Sequence, residues 1–182
     1  MWFRSSRNVS CFIFKKSQFK NVKINNGSFV DGNSSIGEYS YIGHNCFITK
    51  AQIGRYCSIA NNVTIGAGEH GLTNISTSSL FYKNNAYDEL TKLPLQIGND
   101  VWIGVDSIIR RGISIGDGAV VGANSFVNKD VPDFAIVAGT PARIIGYRFS
   151  EKKRKKIKNT NWWLYPIDEA KKIISDLENI SD

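Results

Sequence analysis

The sequence predicts an all-β fold, a triangular parallel β-helix with one extruded loop and a C-terminal α-helical tail. Three observations predict it. Aliphatic residues recur at every sixth position, a small or aliphatic residue sits four places after most of them, and the recurrence lapses for an excursion at about 71–90 and again before a basic, helix-patterned end. The composition agrees, favouring Ile, Val, Asn, Ser and Gly over helix formers. A helix, with its period of 3.6, scatters residues six apart over different faces, and a meander needs longer strands and variable loops. A short strand followed by a fixed turn, three times per coil, fits the step. Each coil then needs its neighbours to bury the aliphatic ladder.

Taken in order, the start "MWFRSSRNVSCFIFKKSQFK" holds an apolar patch at Val9–Phe14 that Ser10 interrupts and Lys15 and Lys16 close. It is too short for a secretory core or a membrane span, so a cytoplasmic protein is expected. The ladder begins with Ile24, Val30, Ile36, Ile42 and Ile48, drops one residue, and resumes with Ile53, Ile59 and Ile65. Ser28, Ser34, Ser40, Cys46, Cys57 and Val63 take the small fourth place, and Gly or Asn supplies turn backbone. Cys11, Cys46 and Cys57 are odd in number and lack CxxC spacing, which points to thiols, the latter two buried, and to neither disulfides nor zinc; no metal site is expected. His44, in "IGHNCF", falls on a turn and is expected to be exposed.

After Ile65 the step fails. "TKLPLQ" at 91–96 reads as the missing third side of a coil, so about Gly71–Leu90 is an excursion from one corner, of the kind that carries function more often than packing. It holds Phe81, Tyr82 and Tyr87 among polar residues, which suits a cleft wall; a loop folded on its own aromatics is the alternative, above all for Tyr87. On the residues alone, His70 at its base is either structural or catalytic. The ladder returns with Ile97, Ile103, Ile109, Ile115, Val121 and Val127, whose fourth places are Val101, Ser107, Ile113, Ala119, Ser125 and Val131. Roughly five coils at about 4.8 Å each give a prism on the order of 24 Å long.

From Ser150 the pattern is helical. Ser150 caps one helix, Pro166 opens another with Ile167, Ala170, Ile173, Ile174 and Leu177 at helical spacing, and Trp162 and Trp163 are expected to pin the tail to the prism. The run "EKKRKKIK" at 151–158 carries most of the formal charge of +7. Such a run is a solvated helix face, or at most a peripheral contact for an anionic membrane or polymer. No basic and aromatic interleaving continues around it, so no nucleic-acid partner is expected. There is no P-loop and no GxGxxG, since the glycines are repeat glycines. The organisation is thus residues 1–149 as the prism and 150–182 as the tail.

The hexads from about Ile24 to Val137 resemble the hexapeptide-repeat acyltransferases. "GEHGLTNISTSSLFY" (68–82), with its His-x5-Ser-Thr-x3-Phe-Tyr spacing, is similar to the xenobiotic acetyltransferase branch, which includes O-acetyltransferases of capsules and O-antigens. "IGNDVWIG" (97–104), "VVGANSFVNKDV" (120–131), "AGTPARIIG" (138–146) and "NTNWWLYPIDE" (159–169) match further landmarks in order. The resemblance implies a left-handed coil, a homotrimer, and acetyl-CoA laid in a groove between neighbouring chains. It implies donor contacts at Trp102, Gly104, Ala123, Asn128, Lys129 and Arg143, acceptor contacts at Ser76, Thr77, Phe81 and Tyr82, and His70 as the catalytic base. Imidazole suits that role, because its neutral form is abundant near neutral pH and can take a hydroxyl proton. Without the resemblance, Lys129 is as readily a surface lysine before a turn. Where the family often has His-Pro or Tyr-Pro-Phe, this chain has His70-Gly71 and Ser79-Leu80-Phe81, which leaves the acceptor open. The implied reaction is O-acetylation of a polysaccharide or its precursor by direct attack. Antibiotic acetylation, of a streptogramin or chloramphenicol, and sugar N-acetylation are its near alternatives. A catalytically dead β-helical scaffold is the alternative of another class.

Overall fold

The computed structural model describes residues 11–13 and 19–179. Its strands are short, most of them two residues, and stack in parallel into a left-handed β-helix of about six turns. Three sheets form the sides of the prism. The first holds β1 (Cys11–Ile13), β3 (Ser28–Val30), β6 (Phe47–Ile48), β9 (Thr64–Ile65), β12 (Ile108–Ile109) and β15 (Phe126–Val127). The second holds β4 (Ser35–Ile36), β7 (Ala51–Ile53), β10 (Leu95–Ile97) and β13 (Ser114–Ile115). The third runs through β2 (Lys23–Ile24), β5 (Tyr41–Ile42), β8 (Ser58–Ile59), β11 (Trp102–Ile103), β14 (Val120–Val121) and β16 (Ala135–Gly139), and ends in an antiparallel β17 (Ala142–Tyr147). There are six turns where the ladder suggested five, because β1 lies upstream of the first aligned aliphatic residue and β16 downstream of the last.

The six-residue step sets the register. Ile42 pairs with Ile59 and Ile59 with Ile103, so aliphatic side chains stack from coil to coil. Every ladder residue from Val30 to Val127 is buried; Ile24, whose strand pairs with β5 among the described residues, is half-buried. Each contributes about 1.5–3 kcal/mol by leaving water. The small fourth places are buried too, and their polar atoms are satisfied between coils. Ser40 Oγ donates to Gly54 O at 3.0 Å and accepts from Cys57 N at 2.9 Å. Cys46 and Cys57 take the same place and approach Ala60 O and Gly98 O at 3.1 Å. A serine or thiol thus ties successive turns without leaving a buried orphan.

Two of the three corners take left-handed backbone three residues after the aliphatic one. At one corner this place is taken by Gly27, Asn45, Asn62, Asp106 and Asn124, residues that tolerate positive φ. At another it is taken by Tyr39, Tyr56, Asp100, Gly118 and Phe134, three of them bulky. The tail explains the exception. Tyr39 stacks on Tyr56, Tyr56 meets Trp162, and Phe134 meets Phe149, so the strained aromatics form the seat of the tail. Gly118 is required beneath it, with φ +67° and a Cβ position 2.5 Å from the Phe134 ring.

The tail comprises α2 (Glu151–Thr160) and α3 (Ile167–Glu178), joined by the 3-10 turn Trp162–Leu164. Ser150 caps α2 by accepting from Lys153 N, Pro166 precedes α3, and Trp162 and Trp163 are buried against the prism. The basic run is not wholly solvated, since Lys158 pairs with Asp117 and with Asp133 on the coil corners. Among the described residues no helix is long and apolar enough to cross a membrane. Residues 9, 10 and 14–16 of the N-terminal patch lie outside the described residues.

The break in the ladder is visible in the pairing. Partners that lie 16 to 18 positions apart in the other coils lie 44 apart where Gln52 meets Gln96 and Ser58 meets Trp102. The excursion leaves after β9 and returns into β10, so it hangs from one corner between the first and second sheets.

Candidate active site

The loop root is built from main-chain bonds. Glu69 N donates to Leu90 O at 2.9 Å, closing the excursion as it leaves the coil. A buried Arg111, in the coil above, reaches across this neck. Its guanidinium donates to Thr49 O (2.6 Å), Thr49 Oγ1 (2.8 Å), Leu93 O (3.1 Å) and Gly66 O, and so ties the coil below to both ends of the loop. Burial pulls its pKa below the ordinary guanidinium value, against the raising influence of Tyr87, Asp31 and Glu69.

His70 follows this neck and lines an open cleft of about 820 Å³ together with Ser76, Phe81 and Tyr82. Its Nδ1 lies 2.5 Å from Thr77 O and 3.1 Å from Tyr82 Oη. A carbonyl oxygen only accepts, so Nδ1 carries the proton and Nε2 is left with the lone pair. The 3-10 turn Ser79–Phe81, capped by Ser78, swings Tyr82 back so that its hydroxyl also accepts from Gly71 N at 3.3 Å. The carboxylate of Glu69, the sequence neighbour, makes no bond to the ring. It is held by Arg110 in a two-point pair, Nε to Oε1 at 2.8 Å and Nη2 to Oε2 at 2.7 Å.

The sequence-predicted residues therefore separate into groups. Thr77 serves through its main-chain oxygen. Lys129 and Arg143 line a smaller cavity of about 290 Å³ at the end of the prism, beside Val137 and Ile144. Gly104 and Ala123 stack on successive coils, the Cβ position of Gly104 falling 2.5 Å from Ala123 N, so only glycine fits. Trp102 projects from β11 and is 54% exposed, and Asn128 holds a buried Oδ1 with no hydrogen-bond partner. None of these donor-side residues lines the His70 cleft.

One expectation is corrected: Tyr87 does not line the His70 cleft. It sits in α1 (Ala86–Leu90) and its hydroxyl donates to Asp31 of the prism, because burial and the adjacent carboxylate favour a protonated phenol there, with its pKa pushed up to about 12. Asp31 and Arg111 were not singled out from the sequence; their partners lie tens of positions away. Cys57 is buried as expected, and burial pushes its thiol up to about 12, which leaves it unsuited to carry an acyl group. It is expected to resist iodoacetamide at pH 8 in the folded protein and to react once unfolded, and Cys57→Ser should retain turnover; mass spectrometry of the modified peptide and a steady-state assay check both. His44 is exposed on its turn.

Residues 34–67 and 94–129 match the family model described as the hexapeptide repeat of succinyl-transferase. A chloramphenicol acetyltransferase of Morganella morganii is 40% identical over 134 residues, 68% of this chain and 64% of that protein. A probable macrolide acetyltransferase of Lysinibacillus sphaericus is 35% identical over 141 residues, 72% of this chain and 76% of that protein. The chain spans slightly less than two thirds of the chloramphenicol acetyltransferases it matches. Among solved structures, a hexapeptide-repeat acetyltransferase of Vibrio cholerae O1 biovar eltor, in complex with acetyl-CoA, superposes with a TM-score of 0.55 at 30% identity. That match covers 71% of this chain and 66% of the other.

Proposed function

The chain belongs to the hexapeptide-repeat acetyltransferase family, and from that premise we propose that it transfers acetyl from acetyl-CoA to a hydroxyl of a polysaccharide or its precursor. The observation that carries the reading is the His70 ring, which lines a cleft and whose Nδ1 faces the Thr77 carbonyl, an arrangement that suits Nε2 to act as the base. In this reading Nε2 takes the acceptor's hydroxyl proton as its oxygen attacks the thioester carbonyl. The carbon–sulfur bond then breaks and the thiolate leaves with the proton that His70 returns. No covalent enzyme intermediate is needed. Backbone N–H groups at the coil corner stabilise the transient oxyanion.

The donor-side residues fit the co-substrate. Close stacking of Gly104 under Ala123 allows an extended arm to lie against the backbone, the unpaired Asn128 Oδ1 is an acceptor for an amide N–H, and Lys129 with Arg143 offers charge to phosphates. The Vibrio structure holds acetyl-CoA. Since these residues and His70 line separate cavities of one chain, we place the donor between chains of a homotrimer. Two neighbouring faces of the prism support this, carrying the exposed Tyr41 and Trp102 on one and Phe47 and Ile108 on the other, whereas the third face presents Ser35, Gln52, Gln96 and Ser114.

A polyhydroxylated acceptor suits the cleft, whose lining sets Phe81 and Tyr82 among the polar Thr73, Asn74, Ser76, Lys83 and Asn84. The relatives' names favour a second reading, an antibiotic hydroxyl. Thiol release from acetyl-CoA, measured with a panel of oligosaccharides, chloramphenicol and a macrolide, decides between them. Turnover with none of these, in a preparation shown by calorimetry to bind acetyl-CoA, contradicts both. In the same assay Lys129→Ala combined with Arg143→Ala should raise KM for acetyl-CoA by roughly tenfold with little change in kcat, the pattern of lost binding shared by ground and transition states.

A further inference from the structure

We propose that Asp31 and Tyr87 are positioning residues for His70, acting through α1; the inference rests on the proposed role of His70 as the base. Asp31 lies in the prism, 56 positions before Tyr87, and is buried. Its carboxylate accepts from Ser34 Oγ at 2.5 Å, from Lys50 N at 3.0 Å and from the Tyr87 hydroxyl. Those donors fix the carboxylate on the coil, so the phenol is bonded to a rigid point of the scaffold.

From Tyr87 the connection runs without interruption to the base. Lys50 Nζ lies 4.7 Å from the centre of the Tyr87 ring and pairs with Asp88 at 2.8 Å, clamping the first turn of α1. Thr91 Oγ1 donates to Tyr87 O, closing the last turn. Leu90 O, at the end of that helix, accepts from Glu69 N, and Glu69 directly precedes His70. The Cβ position of Gly68 falls 3.0 Å from Leu90 Cβ, so the two loop strands are in contact at this rung. A shift of α1 against the coil therefore moves the peptide that carries the imidazole. Apart from this latch, five residues of helix have too little length to hold themselves in place. Neither Asp31 nor Tyr87 lines the His70 cleft, so their effect on acetyl transfer can only pass through the placement of the loop.

Tyr87→Phe removes the single oxygen of the latch and keeps the ring under Lys50. The expected result is a loss of about tenfold in kcat for acetyl transfer with KM for acetyl-CoA unchanged, and in Tyr87→Phe combined with Asp31→Ala a kcat no lower than in Asp31→Ala alone, because the two act as one unit. Hydrogen exchange of the whole protein supplies the readout that does not depend on activity. Amides of residues 67–91 should exchange faster by about tenfold in Tyr87→Phe, with the strands on the other two sides of the prism unaffected. A merely structural role would lower the unfolding midpoint and accelerate exchange throughout. Wild-type kcat in Tyr87→Phe, or a kcat loss with loop exchange unaltered, overturns the proposal. If instead His70→Ala keeps wild-type turnover, the base assignment fails, and with it the claim that the latch serves His70, whatever the loop exchange shows.

Discussion

His70→Ala is expected to lower kcat for acetyl transfer by roughly 10²–10⁴-fold, the usual worth of a positioned general base, while unfolding midpoint and oligomeric state stay as in the wild type. The fold should not notice the change. His70 is exposed, and its ring bonds only within its own loop, to Thr77 O and the Tyr82 hydroxyl. None of its partners belongs to the buried ladder. KM for acetyl-CoA should also hold, since the donor-side residues line other surfaces of the chain. His70→Asn extends the test, because the amide can keep a bond to Thr77 O but has no comparable basicity at the far end. Loss of activity in both variants assigns the base, whereas activity in His70→Asn near that of the wild type would show the ring to be a spacer. The measurement is thiol release at saturating acceptor, with calorimetry and light scattering on the same preparations.

Arg111→Met should be the most damaging single change outside the hydrophobic ladder, at about 3 kcal/mol or more. The methionine fills much of the arginine's volume, so the loss arises from what is left behind. Thr49 O and Gly66 O, both buried, and the part-buried Leu93 O lose a charged donor, Gly66 O keeping only the Thr49 hydroxyl, and each buried acceptor left short costs about 1–3 kcal/mol, not fully additively. Arg111→Lys should recover only part of this, as one ammonium cannot reach acceptors spread over three segments as a planar fork does. The damage should also be local in its functional consequence. With the neck loosened, the loop bearing His70 swings, and kcat falls even at temperatures where the prism remains folded. Urea unfolding followed by far-ultraviolet circular dichroism gives the stability, and a change below 0.5 kcal/mol would contradict the role assigned to the neck.

What could be read from the sequence follows the range of the interactions. The aliphatic step is local and repeated, so it yields the coil, its inward face and the buried places of Ser28 to Val131 without any knowledge of partners. The end of the ladder at Ile65 and its return at Ile97 likewise mark where the chain departs. The loop's attachments are another matter. Arg111 bonds to residues 45 and 62 positions earlier, and Tyr87 to one 56 positions earlier, distances over which no periodicity carries a signal. The partner of His70 is a main-chain carbonyl, an atom that every residue has and no residue advertises. Tyr39, Tyr56 and Phe134 mislead for a related reason: they occupy corners where Gly, Asn or Asp is the cheap choice, and only the docked tail accounts for them. Doubled arginines at 110 and 111 beside Gly112 were the one local hint of the neck, and the two turn out to do different work, one on Glu69 and one beneath the loop.

A crystal structure with coenzyme A and an oligosaccharide acceptor bound would decide the role of His70. The thiol is expected in a groove between two copies of the chain, with His70 Nε2 within about 3 Å of the acceptor hydroxyl or of the sulfur, and Nδ1 still on Thr77 O. Coenzyme A seated elsewhere, or an imidazole turned so that Nδ1 faces the acceptor, would contradict that role.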